Sequence, residues 1–289
     1  MRTFLYSVLF ISLLFIACNS GENSKSTPDA TAEDVSKNWK LGVALWTFHT
    51  FSFPETLVKA DSAGLKYIEP NTFAKSGPEL KDSMILQLSP SGIEKLKAMI
   101  EKQGLTTESL YIVGDSTIES WKKQFDIAKA FGVKFVTTEP PLKMWDSIDS
   151  LAGAYGIKVA IHEHWKGMSH YWNPDTVLMA IKGHPNFGAC ADLGHWPKSG
   201  IDPVEAVKKL SGHIISLHLK DIAAFNDPTL RDVPVGKGVV NFPAVFAELK
   251  KQNFSGNIYI EMDIEEQPSN LPSVIQTVKY YNDEIAKLK

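Results

Sequence analysis

The chain has 289 residues, 44% hydrophobic and 22% charged, with a formal net charge of −3. That balance excludes a basic nucleic-acid binder, a low-complexity chain and a disulfide-held mini-scaffold, and it supplies enough apolar content for a large core. The length admits two domains, or one α/β barrel of roughly 250 residues with something appended.

The appended part comes first. Met1-Arg2 is a short positive start, and residues 4–17 form an apolar run ending at Cys18. The run is short for a membrane span of roughly 20 residues but fits the apolar region of a signal peptide. Phe15-Ile16-Ala17-Cys18 resembles a bacterial lipoprotein signal, in which the Cys becomes the acylated N-terminus; Phe15 stands where Leu is usual. A buried N-terminal helix is the alternative. Residues 19–38 are rich in Ser, Thr, Asp and Glu, cannot bury enough surface to fold, and read as a disordered tether. The sequence therefore predicts a signal over 1–18, a tether over 19–38 and one folded domain over 39–289. The expected location is outside the cytoplasm, in the periplasm or at the outer membrane, held by lipid on Cys18. Without Cys18 only Cys190 remains, so no internal disulfide is expected, and Cys190 in its apolar run reads as packing.

From residue 41 onward, β-rich runs alternate with amphipathic ones. Strands are predicted over 41–47, 66–69, 106–112, 134–138, 158–162, 188–192, 214–219 and 257–261. Helices are predicted over 53–64, 91–103, 121–131, 148–155, 202–210, 242–252 and 274–288. Gly104, Gly132 and Gly156 follow three of the helices as C-caps would, and Asp202-Pro203 opens another as N-cap and first residue. Eight strands with interleaved helices give the count of a (β/α)8 barrel, a TIM barrel. A doubly wound open sheet has the same alternation, but no glycine fingerprint follows the first strand. Gly236-Lys237-Gly238 reads as a turn.

In a barrel the chemistry gathers where the strands end, on inward-facing residues of one parity. The fifth predicted strand ends in His162-Glu163-His164, with both imidazoles on one face. The sixth ends at Asp192, shortly before His195. The seventh carries His218 and Lys220, and the eighth Glu261 and Asp263, each alternating with apolar neighbours. A lone His or Asp at a strand end is usually structural. Four neighbouring strands ending this way on one parity point to a metal, because buried imidazoles and carboxylates are costly unless paired or bound to a cation. His162, Asp192, His218 and Glu261 form a mixed nitrogen and oxygen set suited to one divalent Mn, Co, Zn or Fe ion.

The segments Asp192-Leu193-Gly194-His195, Asp202-Pro203-Val204-Glu205-Ala206, His218-Leu219-Lys220-Asp221, Pro234-Val235-Gly236-Lys237-Gly238 with Asn241-Phe242-Pro243, and Tyr259-Ile260-Glu261 resemble the xylose-isomerase-like sugar isomerase and epimerase barrels. That family includes inosose dehydratases and is related to endonuclease IV. The resemblance runs from about residue 41 to 263 and is most specific in its second half. It implies a divalent metal held by a Glu, an Asp, a His and a Glu from strands five to eight. The last three match Asp192, His218 and Glu261. At the first position stands His162, with Glu163 facing away, a pattern that looks more like the dehydratase branch. Glu139, closing the neighbouring strand, either reaches the same site or lies in solvent.

A metal-bound keto-sugar has an acidified α-proton, since the cation stabilises the developing enediolate. The resemblance implies two metal-bound glutamates in the epimerases, and only Glu261 clearly matches that pair. An elimination needs one base and one acid. Glu261 or Glu139 is therefore the expected base, with His164, His195 or Lys220 orienting the substrate or protonating a departing oxygen. Export favours a free sugar, keto-sugar or oxidised glycoside over a sugar phosphate. Trp46, Phe48, Trp145, Trp165, Tyr171, Trp172 and Trp196 are candidate stacking residues, about half of them expected at the site; Trp46, Trp165 and Trp196 are the main ones, and Arg231 is a candidate for substrate hydroxyls. Two other classes compete. A nuclease would need a basic face and an Asp-x-His pair, where this chain has Arg231-Asp232-Val233. A non-catalytic carbohydrate-binding lipoprotein would keep the aromatics without needing four converging metal ligands.

Overall fold

A computed structural model describes residues 35–264 and 266–288. The expected signal, Cys18 and residues 19–34 of the tether lie outside the described residues. The rest of the expected tether, Val35–Asn38, is a 3-10 turn with Ser36 buried, so the folded body starts a few residues before the predicted boundary.

Its elements follow in order. The first third holds β1 (Trp39–Ala44), α1 (Phe53–Ser62), β2 (Tyr67–Glu69), α2 (Pro90–Lys102), β3 (Thr106–Thr107), β4 (Ser109–Tyr111) and α3 (Ile118–Phe131). Then come β5 (Phe135–Thr138), α4 (Trp145–Tyr155), β6 (Lys158–Ile161), α5 (Pro174–Ile181), β7 (Phe187–Asp192), α6 (His195–Lys198) and α7 (Pro203–Lys209). The chain closes with β8 (Ile214–Leu219), the short β9 (Asp221–Ile222) and β10 (Asp232–Val233), α8 (Phe242–Lys251), β11 (Gly256–Ile260) and α9 (Leu271–Lys287).

The main sheet is parallel, in the order β3-β2-β1-β11-β8-β7-β6-β5-β4. Its two edges belong to one segment, the predicted strand 106–112, divided at Glu108. Thr106 and Thr107 pair with β2, and Ser109 to Tyr111 pair with β5. A parallel bridge between Asn71 and Tyr111 joins the edges further along, where Tyr111 N–H donates to Pro70 O at 2.8 Å and Thr72 N–H to Tyr111 O at 2.9 Å. The sheet thereby closes into a barrel, which removes the open-sheet alternative.

Local sequence explains most of the helices. Ser52 and Glu55 form a capping box on α1, and the Ser89 and Thr117 hydroxyls cap α2 and α3. Gly132 and Gly156, at φ of 79° and 67°, end α3 and α4 in the left-handed region that glycine adopts without strain. Helix α5 was not among the predicted helices. Its signal is Asn173-Pro174-Asp175, where Asn173 accepts the Asp175 N–H; two turns are too few for a clear apolar period.

The longer helices lay apolar stripes on the outside of the barrel, as with Leu57 and Ala60, Leu96 and Ile100, and Val245 and Leu249. Inside the barrel, Ala44, Phe135, Ala160, Cys190 and Tyr259 form a separate buried cluster, and Ser109 Oγ donates to Tyr259 Oη at 2.9 Å across it. Cys190 is packing, as its apolar run suggests. Two residues beyond this layer the inward positions become polar: Thr137, His162, Asp192 and Glu261. Among the described residues no helix is long and apolar enough to cross a membrane.

Candidate functional site

The polar layer lies at the C-terminal ends of the strands. His218 is fully buried, with Nδ1 2.9 Å from Glu261 Oε2 and Nε2 2.8 Å from Glu69 Oε1. Thr137 Oγ1 donates to the other Glu69 oxygen at 2.6 Å. With Glu69 holding Nε2, the ring turns Nδ1 toward Asp192 and Glu261, an arrangement common behind histidine ligands. Asp192 Oδ1 accepts the Gly194 and His195 N–H groups, which fixes the carboxylate and leaves Oδ2 facing inward. Oδ2 lies 3.5 Å from His162 Nε2, 3.8 Å from His218 Nδ1 and 3.2 Å from Lys220 Nζ.

His162 Nδ1, His162 Nε2 and Asp192 Oδ2 are buried without a hydrogen-bond partner. Orphaned buried donors and acceptors are rare and need an explanation. His162, Asp192, His218 and Glu261 each offer one atom, all within 4.8 Å of one another. The residues predicted as a ligand set are thus brought together, and their two imidazoles and two carboxylates fit a divalent cation of the Mn, Co, Zn or Fe type.

Charge in this layer is strongly negative. Lys220 is buried and meets Asp192 at 3.2 Å, Glu261 at 3.0 Å and Asp263 at 2.9 Å. Burial opposes its charge, yet the three carboxylates push its pKa well above the usual lysine value. Burial likewise opposes ionisation of Glu261 and Asp192, but Lys220 and the imidazoles hold both well below the carboxylate range. His162 and His218 are pushed up against their burial, the first by Asp192 and Glu139 and the second by Cys190 and then Glu261. Burial, reinforced by Lys220, drives His195 well below its ordinary value, so it is neutral and accepts from Lys220 Nζ at 3.1 Å through Nε2.

Glu139 is part of the site. Its Oε1 bonds His164 Nδ1 and lies 3.5 Å from His162 Nδ1, while Oε2 accepts from Ser169 Oγ at 2.5 Å. Burial would raise its pKa; the two imidazoles outweigh it and hold it at about 2. The solvent reading of Glu139 is therefore replaced by an ionised carboxylate clamped beside His164.

A cavity of about 370 Å³ opens over these groups, lined among others by Trp46, Glu69, Tyr111, His164, Trp165 and Asp263. Trp46 and Trp165 thus stand where stacking residues were expected. Trp196 does not: it is completely buried in the apolar body, where α6 turns it away from the mouth, and this corrects its assignment to substrate. Phe48 and Tyr171 are buried too. Arg231 is exposed, in an adjoining cavity of about 490 Å³ that shares Trp165 and Asp263 with the first.

Glu69, Asn71 and Tyr111 were not singled out from sequence. Glu69 does close a predicted strand, but one carboxylate with no histidine beside it carries little signal. The Pro234-Val235-Gly236-Lys237-Gly238 segment is structural: the Asp221 carboxylate accepts N–H groups from Gly236, Gly238 and Val240. A Cβ at Gly238 would lie 2.1 Å from Ile222 O, so only glycine fits that approach.

The sequence model of the xylose isomerase-like TIM barrel matches residues 57–288. The chain belongs to that family. It is similar to the L-ribulose-5-phosphate 3-epimerase UlaE of Salmonella paratyphi C, 31% identical over 96 residues, which cover 33% of this chain and 29% of that protein. Matches to the curated epimerases of the family thus span about a third of their length. Among solved structures, an uncharacterised protein of Parabacteroides distasonis is 33% identical with a TM-score of 0.68, covering 85% of this chain and 99% of that one. The IOLI protein, crystallised with a zinc atom, shares the fold at 19% identity and a TM-score of 0.72, covering 86% and 99%.

Proposed function

We propose that the chain is a divalent-metal-dependent enzyme that removes a proton α to the carbonyl of a sugar, keto-sugar or keto-glycoside, giving either elimination or isomerisation or epimerisation. The observation that carries the reading is the convergence of His162, Asp192, His218 and Glu261, with orphaned atoms on two of them, beside a cavity walled by tryptophans. The zinc atom in the IOLI protein and the epimerase activity named for UlaE support it.

His162, Asp192, His218 and Glu261 would hold the metal. Bound there, it would act as a Lewis acid on the substrate carbonyl and acidify the neighbouring C–H. Glu139, ionised and held by Ser169 and His164, is placed to take the proton, and His164 to carry one to a departing oxygen. Glu261 is the second candidate base, although His218 and Lys220 already engage its Oε2. Lys220 and neutral His195 form a buried hydrogen-bonded pair whose Lys220 also reaches Asp263, which lines the cavity; through Asp263 they would orient the substrate's polar groups. Trp46 and Trp165 would pack on the sugar.

The same proposal puts the enzyme outside the cytoplasm, anchored through Cys18, where non-phosphorylated sugars are the available substrates. Metal analysis of the purified protein, followed by NMR in D₂O with 3-keto-glycosides and free ketoses, tests the reading. Release of a leaving group identifies elimination; deuterium incorporation without release identifies epimerisation or isomerisation. Full metal content in Asp192→Ala and His218→Ala proteins would overturn the ligand assignment.

A further inference from the structure

A second cavity of about 420 Å³ adjoins the reactive one and shares Trp46, Asn71 and Phe73 with it. Thr50, Phe51 and Phe53 line its far side. The common wall is a lip: Trp46 and Phe73 meet edge to face at 5.9 Å and are 37% and 38% exposed. Asn71 lies at its base, 4% exposed, with Oδ1 lacking a hydrogen-bond partner. Asn71 lines both cavities, and its unpartnered amide oxygen is an acceptor that a small turn of the side chain would offer to a ligand hydroxyl.

The charges narrow the ligand. The reactive cavity is lined by Glu69, Glu261 and Asp263, and among the described residues no Lys or Arg lines it. In the outer cavity Lys75 is offset by Asp82. Beyond the metal ion that the ligand set would hold, a phosphate dianion finds no unopposed cation in either lining, whereas an uncharged ring with hydroxyls finds an apolar face in both. Each cavity alone is near the small end of the usual range of about 300–1,000 Å³ for ligand pockets. The cavity that contains Arg231 meets the reactive one along a different wall, at Trp165 and Asp263.

We propose that the outer cavity is a second-ring subsite, so that the substrate is a glycoside whose reacting sugar lies over the polar layer and whose aglycone ring, sugar or aromatic, passes the Trp46–Phe73 lip and packs toward Phe51 while Asn71 Oδ1 accepts a hydroxyl. This rests on the sugar reading above and names the substrate class within it.

Calorimetry on the Mn²⁺-loaded chain reads the subsite as binding, independent of turnover. The probes are methyl β-D-glucoside, phenyl β-D-glucoside and cellobiose, the corresponding α-glucosides with maltose, and D-ribulose 5-phosphate. In one anomeric series the two-ring probes should bind about tenfold more tightly than the methyl glycoside. Thr50→Trp, which fills the outer cavity from an exposed position, and Phe51→Ala should each erase most of that gain. Equal affinity for one- and two-ring probes in both series, or binding of none, overturns the proposal. So does a gain that survives both substitutions, or tightest binding of the phosphate probe with that advantage lost in Arg231→Ala. A retained two-ring gain without α-proton exchange on any keto-sugar would sink the proposed reaction and leave the subsite standing.

Discussion

Two buried or nearly buried glutamates mark opposite ends of the barrel and are treated in opposite ways. Glu108, in the break between β3 and β4, has both oxygens met by Lys40 at 2.7 Å and Oε1 also by Lys134 at 2.6 Å. Those lysine side chains are 31% and 66% exposed, so each ion pair is half in water and the group is satisfied. Glu261, at the other end, shares the polar layer beneath the cavity with Asp192, Glu69 and Asp263, and Lys220 reaches three of these four carboxylates. Two imidazole nitrogens and one carboxylate oxygen beside it have no hydrogen-bond partner. A saturated carboxylate serves the fold; an unsaturated cluster of them stores affinity for a cation or a substrate. Conservative substitutions at the two ends should therefore differ in kind.

The largest effect is expected at the mouth, on the rate. Glu139→Gln keeps the size of the side chain and its bond to Ser169 but removes the charge. Turnover should fall about 10²–10⁴-fold, the usual contribution of a positioned general base, while metal content stays at the wild-type level. Loss of metal together with activity would show that Glu139 is a ligand rather than a base.

Next is Lys220→Met. It removes the ammonium from Asp192, Glu261 and Asp263 and leaves buried carboxylates uncompensated, which costs about 3–5 kcal/mol and should lower the urea midpoint accordingly. A divalent cation at about a hundred times its Kd should restore about 2.7 kcal/mol. An unchanged midpoint would mean that the cluster relaxes or protonates freely, and the contrast between the two ends would fail.

How much of this was legible in the sequence follows the same division. The late strands announce themselves because His218 and Glu261 each sit between two apolar neighbours and His162 follows the apolar Val159–Ile161 run, and period two settles which residues share a face. The early strands are short or divided: β2 has three residues and the third strand is broken at Glu108. Glu69 and Tyr111 fall in predicted strands, but too few alternations remain there to mark either as facing the site. Trp196 shows the converse error. It follows His195 directly, but α6 breaks the period of the strand, and its ring turns into the core while His195 turns into the site. Glu139 needed tertiary structure, since only the fold brings His164 and Ser169 to it from the next loop. The barrel itself was legible as a count of strands; that β3 and β4 are one strand serving both edges of the sheet was not.

The smallest effect is expected at the far end. Glu108→Gln exchanges two partly exposed ion pairs for neutral contacts, and such pairs are typically worth about 0.2–1 kcal/mol each. The expected loss is therefore about 1 kcal/mol, with metal content and turnover at wild-type levels. Its pH dependence has a definite sign. Burial opposes the Glu108 charge, yet the bonds from Lys134 and Lys40 hold its pKa below the ordinary glutamate value. A carboxylate depressed in the folded state stabilises above its unfolded pKa of about 4.3, and that contribution disappears as pH falls through the folded value. Wild type should thus exceed the variant in unfolding free energy at pH 7, and the two curves should converge below about pH 4. A gap that widens on acidification would mean that the lysines do not set the charge of Glu108, and a loss of turnover would place chemistry at an end of the barrel where every oxygen of this carboxylate is already taken.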